Sequence, residues 1–405
     1  MKYFITILCL FISLNAQTIG HSFYGVGEDI SSIHAVSGSL GGSKFISGNY
    51  LDYSIHSVSS IWRSNLTKIY FSNSMSFANI NSQKFNNHII DLIGISIPVA
   101  NKKSLIFLLK PKYRLAETIV NDPDYEFIGS DENFFNIPIA YKSSSEIKGG
   151  IANYCMGYSM AINQFLSGGI LINNFFGIQQ RYEHITAYEI DYNLSDDSEI
   201  EFDEIENTYV FNKNEYYGKS LELEFRLDKN KVEFIMNSEF NIDFNIIDEK
   251  NDTTAQELDR LSKYGLGLHY KFLKSAGSVF EYHYTNGIRM NNEQSLFNYN
   301  SPNISSFNIG AYKIINNKKH NSFWTNLSLK AGGYIKLFDF SDFSDLKVEQ
   351  AITIGIGLET IKRSTLNLSI RFGERESIFF YNEKFFALNL GLISSEKWFQ
   401  RRKEK

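Results

Sequence analysis

Strand-long alternation of apolar and polar residues recurs through most of this 405-residue chain, and it leaves few folds open. In VEQAITIGIGLETIKRSTLNLSIRF, residues 348–372, Ile352, Ile354, Ile356 and Leu358 share one parity, and Thr353, Gly355, Gly357 and Glu359 share the other. After Lys362-Arg363 the pattern restarts, with Leu366, Leu368, Ile370 and Phe372 opposite Asn367, Ser369 and Arg371. A period of two places one set on each face of a β-strand, and the two basic residues between the runs fit a hairpin turn. Runs of about 9–11 residues suit a tilted strand that crosses a bilayer.

Alternation predicts fourteen strands, near 67–77, 87–98, 104–118, 149–162, 166–182, 216–227, 231–245, 263–273, 277–289, 304–315, 322–337, 348–361, 364–373 and 384–394. The connections alternate in length. Short ones follow the even-numbered strands and carry Lys102, Lys103, Lys229, Lys274, Lys318, Lys319, Lys362 and Arg363, whereas long, acidic ones follow the odd-numbered strands. Short periplasmic turns, long outer loops and an even strand number are the marks of an outer-membrane barrel. The expected fold is therefore all-β, a transmembrane antiparallel β-barrel of about fourteen strands over residues 67–395. Aromatic residues at 15 % with only 5 Pro agree with it.

MKYFITILCLFISLNA, residues 1–16, reads as a secretory signal peptide, with Lys2 before an apolar run too short to span a bilayer. Leu8 before Cys9 argues against a lipoprotein, and removal of the signal leaves Cys155 alone, so no internal disulfide is expected. Residues 17–66 are rich in Gly and Ser and do not alternate; apolar anchors at Phe45, Leu51, Ile61 and Trp62 predict an N-terminal plug packed inside the barrel. Residues 396–405 form a basic periplasmic tail. A net charge of -5 with no basic stripe argues against nucleic-acid binding.

The acidic run at 196–206 lacks the spacing of a cation-binding loop and reads as solvated. His269 and His283 share the inward parity of neighbouring strands, as do Glu222, Glu224, Arg226, Glu233 and Glu239; with Arg371 they predict a polar lumen lining rather than a metal or catalytic site. No cofactor is implied, and no Ser sits in a nucleophile elbow, so an enzyme is not expected. Pro111 interrupts the third strand, in LIFLLKPKYRL; it has no N–H for the ladder, which predicts a bulge and a candidate lateral gate.

The Gly/Ser-rich segment SGSLGGSKFISGNYLDYSIHSVSS ahead of fourteen strands, and the ending IRFGERESIFFYNEKFFALNLGLISSEKWFQRRK, resemble the long-chain fatty-acid transporter (FadL-like) family of outer-membrane proteins. That resemblance implies uptake of hydrophobic molecules through a lumen gated by the N-terminal hatch, with lateral release at a kinked third strand. The hatch here carries Ile55-His56-Ser57-Val58-Ser59 where the family usually has an Asn-Pro-Ala triplet. The expected function is passive outer-membrane uptake of hydrophobic or amphipathic small molecules in contact with outer-membrane lipid. The alternative is a non-transporting barrel that carries or anchors exported proteins.

Overall fold

The computed structural model describes residues 28–29, 34–45, 55–80, 83–120, 124–126, 139–191, 201–248, 256–257, 262–287, 301–316, 324–340, 346–360, 364–376 and 382–396. Fourteen long strands form one closed antiparallel ring. They are β1 (Thr67–Ile80), β2 (Gln83–Ala100), β3 (Lys103–Val120), β4 (Ile139–Ala161), β5 (Leu166–Asp191), β6 (Glu201–Lys229) and β7 (Val232–Asp248). The second half comprises β8 (Ser262–Leu273), β9 (Ala276–Thr285), β10 (Asn303–Asn316), β11 (Trp324–Asp339), β12 (Lys347–Thr360), β13 (Thr365–Glu376) and β14 (Asn382–Glu396). Each strand pairs with its neighbours in sequence, and β14 closes on β1 with Leu388 opposite Met75. Closure lets every strand satisfy its backbone on both sides, which a hydrocarbon environment demands.

The parity read from the sequence becomes inside and outside. On β12, Ile352, Ile354 and Ile356 are exposed on the outer wall, while Thr353 and Gly357 are buried toward the lumen. Gly355, Asn367 and Arg371 also take the inward parity. Short connections join β3, β7 and β9 to their predecessors, and Lys102 and Asn230 take positive φ (59° and 61°) in the first two. Residues 361–363, with Lys362 and Arg363, lie outside the described residues, but Thr360 N–H donates to Ser364 O at 2.9 Å and draws β12 and β13 together.

Three expectations are corrected. The acidic stretch after Arg181 is not all loop: β5 runs to Asp191 and β6 starts at Glu201, because the two runs pair across one long hairpin. β6 has 29 residues, so it extends far beyond a hydrocarbon core of about 30 Å. The fourth strand begins well before residue 149: residues 139–144 already belong to β4. Simple alternation over 231–245 puts Phe244 with Phe234, Met236 and Phe240 on the lipid side, but it is buried inside: Asp243 and Asn241 oppose the adjacent residues Lys219 and Ser220, so Ile242 is bulged and parity reverses beyond it.

Residues 34–45 and 55–64 lie within the lumen. His34–Phe45 include one helical turn, α1 (Ala35–Gly38), and a 3-10 turn spans Val58–Arg63. No helix among the described residues is long and apolar enough to cross a membrane. The signal peptide and residues 397–405 lie outside the described residues.

Candidate functional site

Two stretches of the N-terminal segment are fastened to the inner wall by side chains of inward parity. Glu281 on β9 accepts hydrogen bonds from the backbone N–H groups of Lys44 (2.6 Å) and Phe45 (2.9 Å). Glu224 on β6 accepts from Ser57 Oγ (2.7 Å) and from the N–H groups of Val58 (3.1 Å) and Ser59 (3.3 Å), so a wall carboxylate caps the first turn of the 3-10 helix. Arg226, fully buried, donates to Phe45 O at 2.7 Å, to Ser59 Oγ at 3.2 Å, and to Ser57 and Glu233. Glu233 also meets Arg63 at 3.1 Å and Lys271 at 2.5 Å, and Arg63 reaches Asp228 at 3.0 Å. His269 completes the cluster, its Nε2 2.9 Å from Tyr312 Oη and its Nδ1 3.5 Å from Glu233. Buried charges are tolerated only when paired and hydrogen-bonded; here Arg63 ties the segment to Glu233 and Asp228, and the wall charges Arg226, Lys271 and Glu233 pair with one another.

Apolar packing adds to this. Ile55, Val58 and Ile61 share a buried cluster with Tyr70, Leu92, Ile106, Leu108 and Leu171 of the wall. Phe45 lies over Gly265 and Gly267, where an added Cβ would sit 2.7 Å from its ring at either position. Gly41, at φ +69°, approaches Gly332 so closely that a Cβ there would lie 2.5 Å from the Gly41 nitrogen, and Gly41 N–H donates to Thr353 Oγ1 at 2.9 Å. His34 and His56 meet edge to face at 5.6 Å, joining the two stretches. Burial, then the Lys330 charge, holds the His34 imidazole down to about 3; burial and Lys110 hold His56 well below its ordinary value, so both stay neutral.

Among the described residues the wall is incomplete on one side. β2 and β3 each have 18 residues, yet they pair only from Ala100–Lys103 up to Ile93–Leu109. Above that point β2 stays with β1 and β3 stays with β4, so the two part. Pro111 lies two residues past the last pair and brings no N–H to the ladder; opposite β4, Lys112 is the extra residue between the pairs of Pro111 and Tyr113, so that Lys112 and Tyr113 both face inward. On β2, Asp91 is bulged inward in the same way and accepts from Ser74 Oγ at 2.6 Å and Ser72 Oγ at 3.2 Å. Higher up, Glu28 and Asp29 pair with Arg114 and Tyr113 on the open edge.

Inside this opening lies a lumen cavity of about 50 Å³ lined by residues that include Lys44, Phe45, Ile55, His56, Leu108, Lys110, Lys112, Glu222, Glu239, Lys263 and His283. Lys112 pairs with Glu239 at 2.9 Å. Elsewhere on the inner face, Tyr113, Ile151, Phe175, Tyr216, Phe244 and Ile246 form an apolar cluster.

The BamG family model matches residues 1–404. The chain belongs to the BamG family. No curated protein sequence matches it. Among solved structures, a TodX monoaromatic hydrocarbon channel variant is similar at TM-score 0.54 and 12% identity, covering 91% of this chain and 99% of its own. A Pseudomonas aeruginosa FadL homologue is similar at TM-score 0.53 and 8% identity, covering 92% and 100%. The Ralstonia pickettii toluene transporter TbuX follows at 0.51 and 8%, covering 91% and 99%. At these identities the likeness is one of fold: this BamG-family barrel has the architecture of bacterial outer-membrane transporters of the FadL type.

Of the residues singled out in the sequence, Phe45, Ile61, Glu224, Arg226 and His269 converge on the docked segment, and His283 touches it, 5.0 Å ring to ring from Phe45. Trp62 is also in the segment, its backbone N–H donating to Ser159 Oγ at 3.2 Å. Glu222 instead faces the small cavity and accepts from Asn237 at 2.7 Å. Arg371 is remote from the cluster, stacked between Tyr334 (6.0 Å) and Phe385 (5.5 Å). Leu51 lies outside the described residues. Lys110 and Lys112 were missed, although two lysines of one parity flanking the strand proline were a legible signal.

Proposed function

We propose that this barrel is an outer-membrane channel for passive uptake of hydrophobic or amphipathic small molecules, with the docked segment as its hatch and the opening beside Pro111 as a lateral exit. The parting of β2 and β3 above Ile93–Leu109 carries this reading, because a closed barrel otherwise leaves no edge unpaired. The apolar cluster around Phe175 and Phe244 offers a first resting place, and fatty-acid-like solutes would gain about 25 cal/mol for each Å² they bury. The shared fold with proteins described as hydrocarbon channels supports the class of solute.

Uptake of a labelled fatty acid into liposomes tests it. Pro111→Val, which restores an N–H, is expected to slow uptake several-fold, and deletion of residues 34–66 to raise it. Rates indifferent to both changes would remove the proposal.

One observation favours a second reading, a non-transporting barrel that carries or anchors exported proteins. The segment is fixed by the ion pairs of Arg63 with Glu233 and Asp228 and by the hydrogen bonds of buried Arg226 to Phe45, Ser57 and Ser59, and breaking buried charged contacts costs about 3–5 kcal/mol, which opposes movement. Co-purification from native membranes separates the two: stable protein partners with no uptake activity would favour the carrier.

A further inference from the structure

The lipid face of β9 to β13 carries a hollow of about 840 Å³, walled by Phe280, Phe307, Ile309, Ile335, Ile352 and Phe372. Its floor is bare at Gly333, where an added Cβ would touch only the Ala351 carbonyl oxygen, at 3.1 Å. The volume falls within the about 300–1,000 Å³ typical of ligand sites. A space left empty in a membrane would forfeit dispersion contacts on every wall, so it is filled. Acyl chains are as apolar as the side chains around the hollow, so hydrophobicity alone gives a protein partner no advantage over them there.

What singles out one occupant is the rim. Gln350 on β12 stands opposite Glu374 on β13, and Glu374 stands opposite Lys384 on β14. All three are exposed, border the hollow and share the outward parity of Ile352 and Phe372. The row is remote from the short connection of β12 to β13, hence at the outer-leaflet border of the wall. Gln350 Nε2 donates to Glu374 Oε1 at 2.5 Å. Lys384 forms no ion pair with Glu374 and meets no acceptor among the described residues. Opposite residues of a ladder have Cβ atoms about 4.5–5.5 Å apart, so a carboxylate and an ammonium group stand side by side without closing on each other. A head group with a phosphate beside a primary ammonium presents the reverse pair. Its phosphate suits Lys384 and its ammonium suits Glu374, each through charge-assisted hydrogen bonds.

We infer that the outer wall from β9 to β14 binds a membrane lipid with a phosphoethanolamine head, the head lying across Glu374 and Lys384 and the acyl chains filling the hollow beneath. The chains supply contact and the head supplies selection. This site asks nothing of the lumen and stands whether the barrel passes solutes or carries proteins.

Native mass spectrometry of the full-length protein in a neutral detergent measures it. The probes are dioleoyl phosphatidylethanolamine, phosphatidylcholine and phosphatidylglycerol, and glycerophosphoethanolamine, which has the head without the chains. Phosphatidylethanolamine is expected to bind several-fold more tightly than phosphatidylcholine, whose trimethylammonium cannot donate, and than phosphatidylglycerol, which brings no cation to Glu374. Glu374→Gln should abolish the preference over phosphatidylglycerol. Lys384→Gln should weaken phosphatidylethanolamine several-fold, and Lys384→Arg should restore it. Gly333→Phe points into the hollow and should weaken all three lipids. Heat-dependent mobility on gels follows the folding of each variant; should Gly333→Phe not fold, the two rim positions and the lipid series decide alone. Equal binding of the three lipids, glycerophosphoethanolamine bound as tightly as the intact lipid, or full binding to a folded Gly333→Phe would overturn the inference. So would a protein held on this face in native membranes that excludes the lipid.

Discussion

The two faces of the same fourteen strands obey different rules. On the lipid face, Ile352, Phe372 and Met236 meet hydrocarbon that resembles them, so their contacts are replaceable. On the lumen face, Arg226, Glu224, Glu233 and Glu281 meet particular atoms of a docked segment, with donors and acceptors matched. One face is specified by hydrophobicity and the other by geometry. Changes to the first should be small and interchangeable, and changes to the second large and local.

The sharpest break of that contrast would come from Arg226→Leu. It strands Glu233 and Glu224 without their shared cation and is expected to cost the docked segment about 3–5 kcal/mol. Hydrogen exchange should then rise in 34–45 and 55–64 with the strands unaltered; unchanged protection there would mean that the arginine does not hold the segment. Gly267→Leu attacks the same docking through shape. The side chain would occupy the place of the Phe45 ring, at about 3 kcal/mol, the upper end of overpacking penalties, and the same exchange experiment reads it.

Acid should act next. The His34 imidazole is held down to about 3 by burial and by Lys330, against an ordinary value of 6.5 when the segment is released. The released state therefore takes up protons first, so docking is fully stable above pH 6.5 and weakens as pH falls toward the folded value. By pH 5 the loss from His34 is about 2 kcal/mol, with His56 acting in the same direction. Protease sensitivity of the segment at pH 7.5 and pH 5, in the natural protein and in His34→Gln, checks it; equal sensitivity at both pH values would count against buried neutral imidazoles. The smallest effect belongs to the lipid face. Ile352→Ala, at a side chain 69 % exposed, should change stability in urea by ~0.5 kcal/mol or less, and a larger loss would mean that the outer wall has a specific partner there.

Period-two alternation was sufficient to find the strands because it is a local property, legible wherever one face meets apolar surroundings. It failed where the backbone gained a residue: Phe244 moved inside because Ile242 is bulged, and a bulge changes parity without altering composition. It also stopped short on β5 and β6, whose acidic outer halves pair with each other beyond the apolar band that marks a membrane strand. Pro111 was readable as a break in the third strand, since a missing N–H is a covalent fact.

The sequence by itself determined the strand order, which face of each unbulged strand meets lipid, and that Phe45, Ile61 and Trp62 lie in a non-alternating segment ahead of the strands. Only the tertiary structure decided that Ser57 donates to Glu224, that Arg226 reaches Phe45 across 181 positions of chain, and that Lys110 is buried where β2 and β3 part. The reason is physical. Alternation is set by the solvent on each side of one strand, whereas charge pairing in the lumen depends on which distant strands closure of the ring brings face to face.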